Sequence, residues 1–147
     1  MEQLGQSSHA EGRIPPQNLA NSVPVVLYDA DCGFCTWVVD KIAARVEAGA
    51  VEIVPLQAPR ADELLADRLD EQAKWDSWHL VEAGGALFSG GEAIPRVLRH
   101  VRGGRFAGRV AARFPRAASA LYRVAARHRD KLGRVVRADR CRVPGSR

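Results

Sequence analysis

The sequence predicts an α/β protein: a mixed sheet flanked by helices, with an added helical segment at its C-terminal end. Two short β-branched runs, each followed by a helical repeat, predict a parallel strand pair. A hairpin pattern around Gly84-Gly85 predicts antiparallel partners, and helical spacing from Val110 to Leu132 predicts the addition. The 147 residues, 46% of them hydrophobic, suffice for one domain whose core needs no disulfide or metal staples.

Residues 1–22 are rich in Gln, Ser, Asn, Gly and Pro and show no apolar periodicity, which is the composition of a disordered leader. The predicted domain covers residues 23–102. It opens on Val23-Pro24-Val25-Val26-Leu27-Tyr28, a buried-strand pattern that ends at Asp29. From Thr36 the residues Val38, Val39, Ile42, Ala43 and Val46 recur at helical spacing, and Gly49 supplies a stop. Residues 51–54 read as a second strand, and residues 61–69, with Leu64, Leu65 and Leu69 on one face, as a second helix. Residues 78–82 and 86–89 form the predicted hairpin, whose glycines permit positive φ, and residues 92–101 a third helix. Residues 103–134 are predicted to be basic helices that pack an Ala and Leu face on the domain, with Pro115 starting a new helix. Residues 135–147, with Pro144 and Gly145, read as a flexible tail.

The net charge of +5 conceals an asymmetry. Residues 1–95 carry 6 Lys and Arg against 15 Asp and Glu, net −9, whereas residues 96–147 carry 16 against 2, net +14. One reading lays a basic helical segment on an acidic domain face; the other gives the segment an acidic partner, nucleic acid or an anionic membrane. The arginines surround the predicted helices, and Phe106, Phe114 and Tyr122 are too few for base stacking, so the first reading is preferred and no specific nucleic-acid binding is expected. No stretch approaches the roughly 20 apolar residues of a membrane span, and no basic-then-apolar segment opens the chain. These features predict a cytoplasmic protein. They leave its oligomeric state open.

Three cysteines, Cys32, Cys35 and Cys141, are too few for a secreted disulfide framework. Cys32-Gly33-Phe34-Cys35 closes a small disulfide ring, holds half of a zinc site, or is a pair of merely structural thiols. Zinc needs about four ligands, and beyond the pair there are only Cys141 and scattered histidines, His79, His100 and His128 among them, so neither metal nor cofactor is expected. The pair falls where a strand turns into a helix. Unpaired N–H groups and the helix dipole there stabilise a thiolate below the free value of about 8.5. Cys32, on the first turn, is then the attacking nucleophile, and Cys35, one turn on, the resolving thiol. Asp29 and Asp31 oppose thiolate formation; each reads equally as a proton shuttle for Cys35 or as an ordinary helix cap.

The run Tyr28-Asp29-Ala30-Asp31-Cys32-Gly33-Phe34-Cys35 resembles the motif of the DCC family of thiol-disulfide oxidoreductases, thioredoxin-like proteins named for an Asp-Cys-Cys pattern. Val54-Pro55-Leu56-Gln57, His79-Leu80-Val81 and Glu92-Ala93 resemble further family segments, so the likeness runs from about Val25 to Arg134. The resemblance implies a thioredoxin-like fold and disulfide exchange with a protein or low-molecular-weight thiol partner, its catalytic roles falling on Cys32 and Cys35. A non-catalytic thioredoxin-like module that binds an acidic partner is the alternative. One departure stands out: thioredoxins place a cis-proline before the third strand, facing the cysteines, where this chain has Trp75-Asp76-Ser77-Trp78, with Ser77 at the corresponding place. Trp37, Trp75 and Trp78 read as core edge or as groove lining. His79, His100 and His128 read as structural or exposed, and Cys141, among Arg137, Arg140 and Arg142, as an incidental tail thiol.

Overall fold

A computed structural model of the chain describes residues 22–136. The predicted leader up to residue 21, the tail beyond residue 136 and Cys141 lie outside the described residues. Strand β1 (Val25–Tyr28) is central, with β2 (Glu52–Pro55) parallel on one side and β3 (His79–Val81) antiparallel on the other, followed by β4 (Leu87–Ser89) at the edge.

The period-2 alternation of β1 decides how the layers form. Val25 and Leu27 point to one face, where they meet Val54, Leu56 and Val81 beneath Ala61, Leu64 and Leu65 of α2 (Pro59–Leu65). Val26 points to the other, where Leu80 joins Ile42 of α1 (Gly33–Ala43) and Val97 of α4 (Ile94–His100). With both faces covered, β1 has no polar side, which is why its sequence is a continuous apolar run. The predicted mixed α/β sheet is present, and its strand order and layering are those of a thioredoxin-like fold.

Three elements differ from the sequence expectation. The helix expected over residues 61–69 stops at Leu65, because Ala66 leaves the helical region and Asp67 adopts a positive φ of 60°. A separate helix, α3 (Glu71–Asp76), then starts at Asp70, whose carboxylate accepts the Ala73 N–H at 2.7 Å. Lys74 ties the two pieces together through an ion pair with Asp62 at 2.5 Å. The helix expected over residues 92–101 opens as a tight 3-10 turn at Gly90–Glu92 before α4 begins.

The third difference concerns which side chains face inward in α5 (Gly104–Arg113), α6 (Pro115–Arg127) and α7 (Arg129–Val135). The expected Ala and Leu face is only partly used: Ala118, Ala125 and Ala126 are half-buried, but Leu121 is exposed, as are Phe106 and Phe114. Glycines make the close contacts instead. A Cβ on Gly108 would lie 3.0 Å from the Pro95 carbonyl oxygen of α4, one on Gly91 would lie 2.5 Å from Ser119 Cα of α6, and one on Gly133 of α7 would lie 3.3 Å from Phe34 N in α1. Backbones that approach this closely leave no room for bulky side chains between them, so the larger apolar residues are turned outward.

Candidate redox site at the start of α1

The tight turn between β1 and α1 brings the expected site residues to one place. Cys32 and Cys35 are joined as a disulfide with Cα atoms 5.2 Å apart, within the usual span of such a bridge. Cys32 is the N-cap of α1: its Sγ accepts the Cys35 N–H at 3.2 Å and its carbonyl accepts the Thr36 N–H at 3.0 Å. The Thr36 hydroxyl donates to the same carbonyl at 3.1 Å and reaches Ala30 O at 3.4 Å. The sulfur therefore sits at the positive end of an eleven-residue helix with no acidic side chain in its first turn.

Neither aspartate caps that helix, because the cysteine has taken the position. Asp29 Oδ1 accepts the Asp31 N–H at 2.9 Å, a local turn that carries the chain from strand to helix. Gln57, just past β2, braces this turn from outside. Its amide N–H group donates to Asp29 Oδ1 at 2.9 Å and to Asp31 Oδ2 at 3.3 Å, while its Oε1 accepts the Ala30 N–H at 3.3 Å. Sequence reasoning assigned no role to Gln57. The parallel pairing of β1 with β2, in which Tyr28 lies opposite Pro55, is what brings it within reach.

Cys35 and Asp29 also line a cavity of about 350 Å³ whose surface is almost wholly apolar. Phe34, Trp75 and Trp78 form part of the wall, and Leu121, Tyr122 and Ala125 of α6 close one side. Cys32 is not part of the lining, and both cysteines are half-buried. The two readings of the tryptophans merge at Trp75 and Trp78, each of which packs against a core cluster and borders this cavity. Trp37 lies elsewhere, stacked on Phe34 at 6.2 Å between ring centroids with the Lys41 ammonium 5.7 Å above it.

Ser77 borders the cavity in extended backbone just before β3. The next N–H, that of Trp78, donates to the Tyr122 hydroxyl at 3.4 Å. Burial pushes the Tyr122 phenol up, against the opposing effects of this bond, of Ser77 and of the Arg129 charge. The third strand's His79 is fully buried and satisfied: Nε2 donates to Lys74 O at 2.9 Å, leaving Nδ1 to accept from Ser89 Oγ at 2.8 Å. Desolvation lowers its pKa, and its role is structural. Among the described residues no three His, Cys, Asp or Glu side chains gather as a metal-binding group, and no helix is long and apolar enough to cross a membrane.

A disulfide at a helix N-terminus, followed by a thioredoxin-like sheet, agrees with the comparison to known families. The family profile of DCC1-like thiol-disulfide oxidoreductases matches residues 26–135. No curated protein and no solved structure matches the chain. The match spans the strand, the cysteine turn and the helices that close the cavity, so the chain belongs to the DCC1-like thiol-disulfide oxidoreductase family.

Proposed function

We propose that the protein catalyses thiol-disulfide exchange, with Cys32 as nucleophile and Cys35 as resolving thiol. The observation that carries this reading is the placement of Cys32 Sγ as acceptor of a backbone N–H at the first turn of α1. The same N–H and the helix dipole favour the thiolate once the bridge is reduced. In the reduced protein the Cys32 thiolate attacks a partner disulfide, forming a mixed disulfide and releasing one partner sulfur as thiolate. Cys35 then gives up its proton and attacks Cys32 Sγ; the mixed disulfide breaks, the second partner sulfur leaves, and the Cys32–Cys35 bond closes. Two electrons have passed to the partner, whose released thiolates take up one proton for the one Cys35 gave up and one from solvent, where the Cys32 proton went when its thiolate formed. The reverse sequence oxidises a partner dithiol.

Asp29 is the proton acceptor for Cys35 in this reading, because it is half-buried and borders the same cavity, whereas Asp31 is exposed and does not line it; both carboxylates are held by Gln57. The cavity takes the apolar part of the partner beside Cys35. The partner is a protein or a low-molecular-weight disulfide, and the cytoplasm, with its thiol reductants, is the compartment in which the pair would cycle. The chain divides in function as residues 23–102 for the redox domain and residues 103–134 for the basic helices laid on it.

Alkylation separates the roles of the two thiols. In the reduced protein at neutral pH, Cys32 should react with iodoacetamide first and Cys35 slowly, as read by mass spectrometry of the peptides. Cys35→Ser should trap partners as mixed disulfides on Cys32, and Cys32→Ser should trap none. Faster labelling of Cys35, or capture by Cys32→Ser alone, reverses the assignment. If the wild type neither reduces a model disulfide nor oxidises a dithiol, and the double Cys32→Ser, Cys35→Ser variant keeps its cellular function, a binding module replaces the enzyme.

A further inference from the structure

We propose that the outward faces of α5 and α6 dock the protein on an anionic lipid bilayer. These helices turn small residues inward, Gly104 and Gly108 of α5 fully and Ala118, Ala125 and Ala126 of α6 in part, and expose large apolar ones: Phe106 is 76% exposed and Phe114 59%, with Val110 and Val124 also outward, while Leu121 stands at the rim of the cavity. An ordinary surface helix does the opposite. Phe106 and Val110 stand four residues apart on α5, and Phe114 follows four later at the joint with α6. They make one stripe on the solvent side.

A second stripe runs beside the first. Arg105, Arg109 and Arg113 repeat at the same spacing one residue earlier, and Arg116, Arg123 and Arg127 line one side of α6 next to Val124. None of these six guanidinium groups makes an ion pair with a described residue. These six charges are left to face solvent, whereas Arg96 and Arg102, which precede α5, pair with Glu82 and Glu47 of the acidic half. Unpaired arginines flanking exposed Phe, Val and Leu are the composition of an interfacial helix: the guanidinium groups bind lipid phosphates while the apolar side chains enter the acyl boundary.

Nucleic acid or an acidic protein would match the charge but would leave the bulky apolar stripe without a partner. A bilayer accounts for both stripes. The position of α6 against the cavity wall would hold the cysteines close to the membrane surface.

Sedimentation of the full chain with vesicles tests the inference, using phosphatidylcholine alone or with about one third phosphatidylserine. The protein should bind the anionic vesicles at least roughly tenfold more tightly, since each arginine near such a surface contributes. Arg105→Gln, Arg109→Gln and Arg113→Gln together should remove most of that preference. Phe106→Ala with Phe114→Ala should weaken binding and make the remainder vanish at moderate salt, because the apolar contribution is the part that salt does not screen. The Cys32→Ser, Cys35→Ser variant should sediment as the wild type does, so that failure of the redox reading leaves this test intact. Equal binding to neutral vesicles overturns the proposal, as does an unchanged Phe106→Ala, Phe114→Ala variant. Tighter, salt-resistant binding to duplex DNA or polyglutamate than to vesicles also overturns it, and so does self-association that Phe106→Ala, Phe114→Ala abolishes without any vesicle binding by the wild type.

Discussion

Gly91 is the point on which α6 rests, and Gly91→Ala measures how far the C-terminal helices control the redox cavity. The added Cβ would lie 2.5 Å from Ser119 Cα, 2.9 Å from its Oγ and 3.1 Å from its Cβ. The hydroxyl can rotate away, but the Cα belongs to the backbone of α6, so the helix itself must shift. Overpacking of this kind costs roughly 1–3 kcal/mol, and about 2 kcal/mol would shift the seating equilibrium of α6 about thirtyfold. Because Leu121, Tyr122 and Ala125 form one wall of the cavity, their displacement should expose Cys35. Urea unfolding should show the loss of stability, and iodoacetamide labelling of the reduced variant should show faster reaction at Cys35 with Cys32 unchanged. A Ser119→Gly replacement in the same chain should recover only part of the loss, because it removes the serine side chain and leaves the overlap with the backbone of α6. Wild-type stability together with wild-type Cys35 labelling would refute the claim that this glycine sets the approach of α6.

Two further outcomes follow from the buried histidine and the braced turn. The folded state holds His79 neutral with its pKa lowered by desolvation, while the unfolded chain titrates near 6.5, so below that value the unfolded state binds more protons. Stability should therefore be constant at higher pH and fall as pH drops from about 6.5 towards the lower folded value, and urea titrations across that window check it; a flat profile would show that His79 is not held neutral. Gln57→Ala removes the three exposed hydrogen bonds to Asp29, Ala30 and Asp31, for which a loss of roughly 1 kcal/mol in urea unfolding is expected, with the Cys32–Cys35 bridge still able to form.

The sequence by itself determined the parts of this protein that depend on neighbours along the chain. The apolar run of β1, the alternation that feeds two cores, the turn from strand to helix and the place of the cysteine pair at that turn are local properties, and each was legible in residue order. The break after Leu65 was less legible, because Leu69 continues a helical spacing that the positive φ of Asp67 interrupts. Tertiary structure decided what depends on residues far apart in sequence. Gln57 became a brace for the aspartate turn only through the parallel pairing of β1 and β2, and Tyr122 met Trp78 across 44 positions. The sidedness of α5 and α6 was likewise undecided in the sequence, since each carries an apolar stripe and a small-residue stripe, and helical spacing alone does not say which turns inward. Glycines settled it, Gly104 and Gly108 of α5 itself and Gly91 beside α6: two backbones separated by no side chain pack more closely than any Phe or Leu between them would allow, so the small stripe was turned inward and the large one left in solvent.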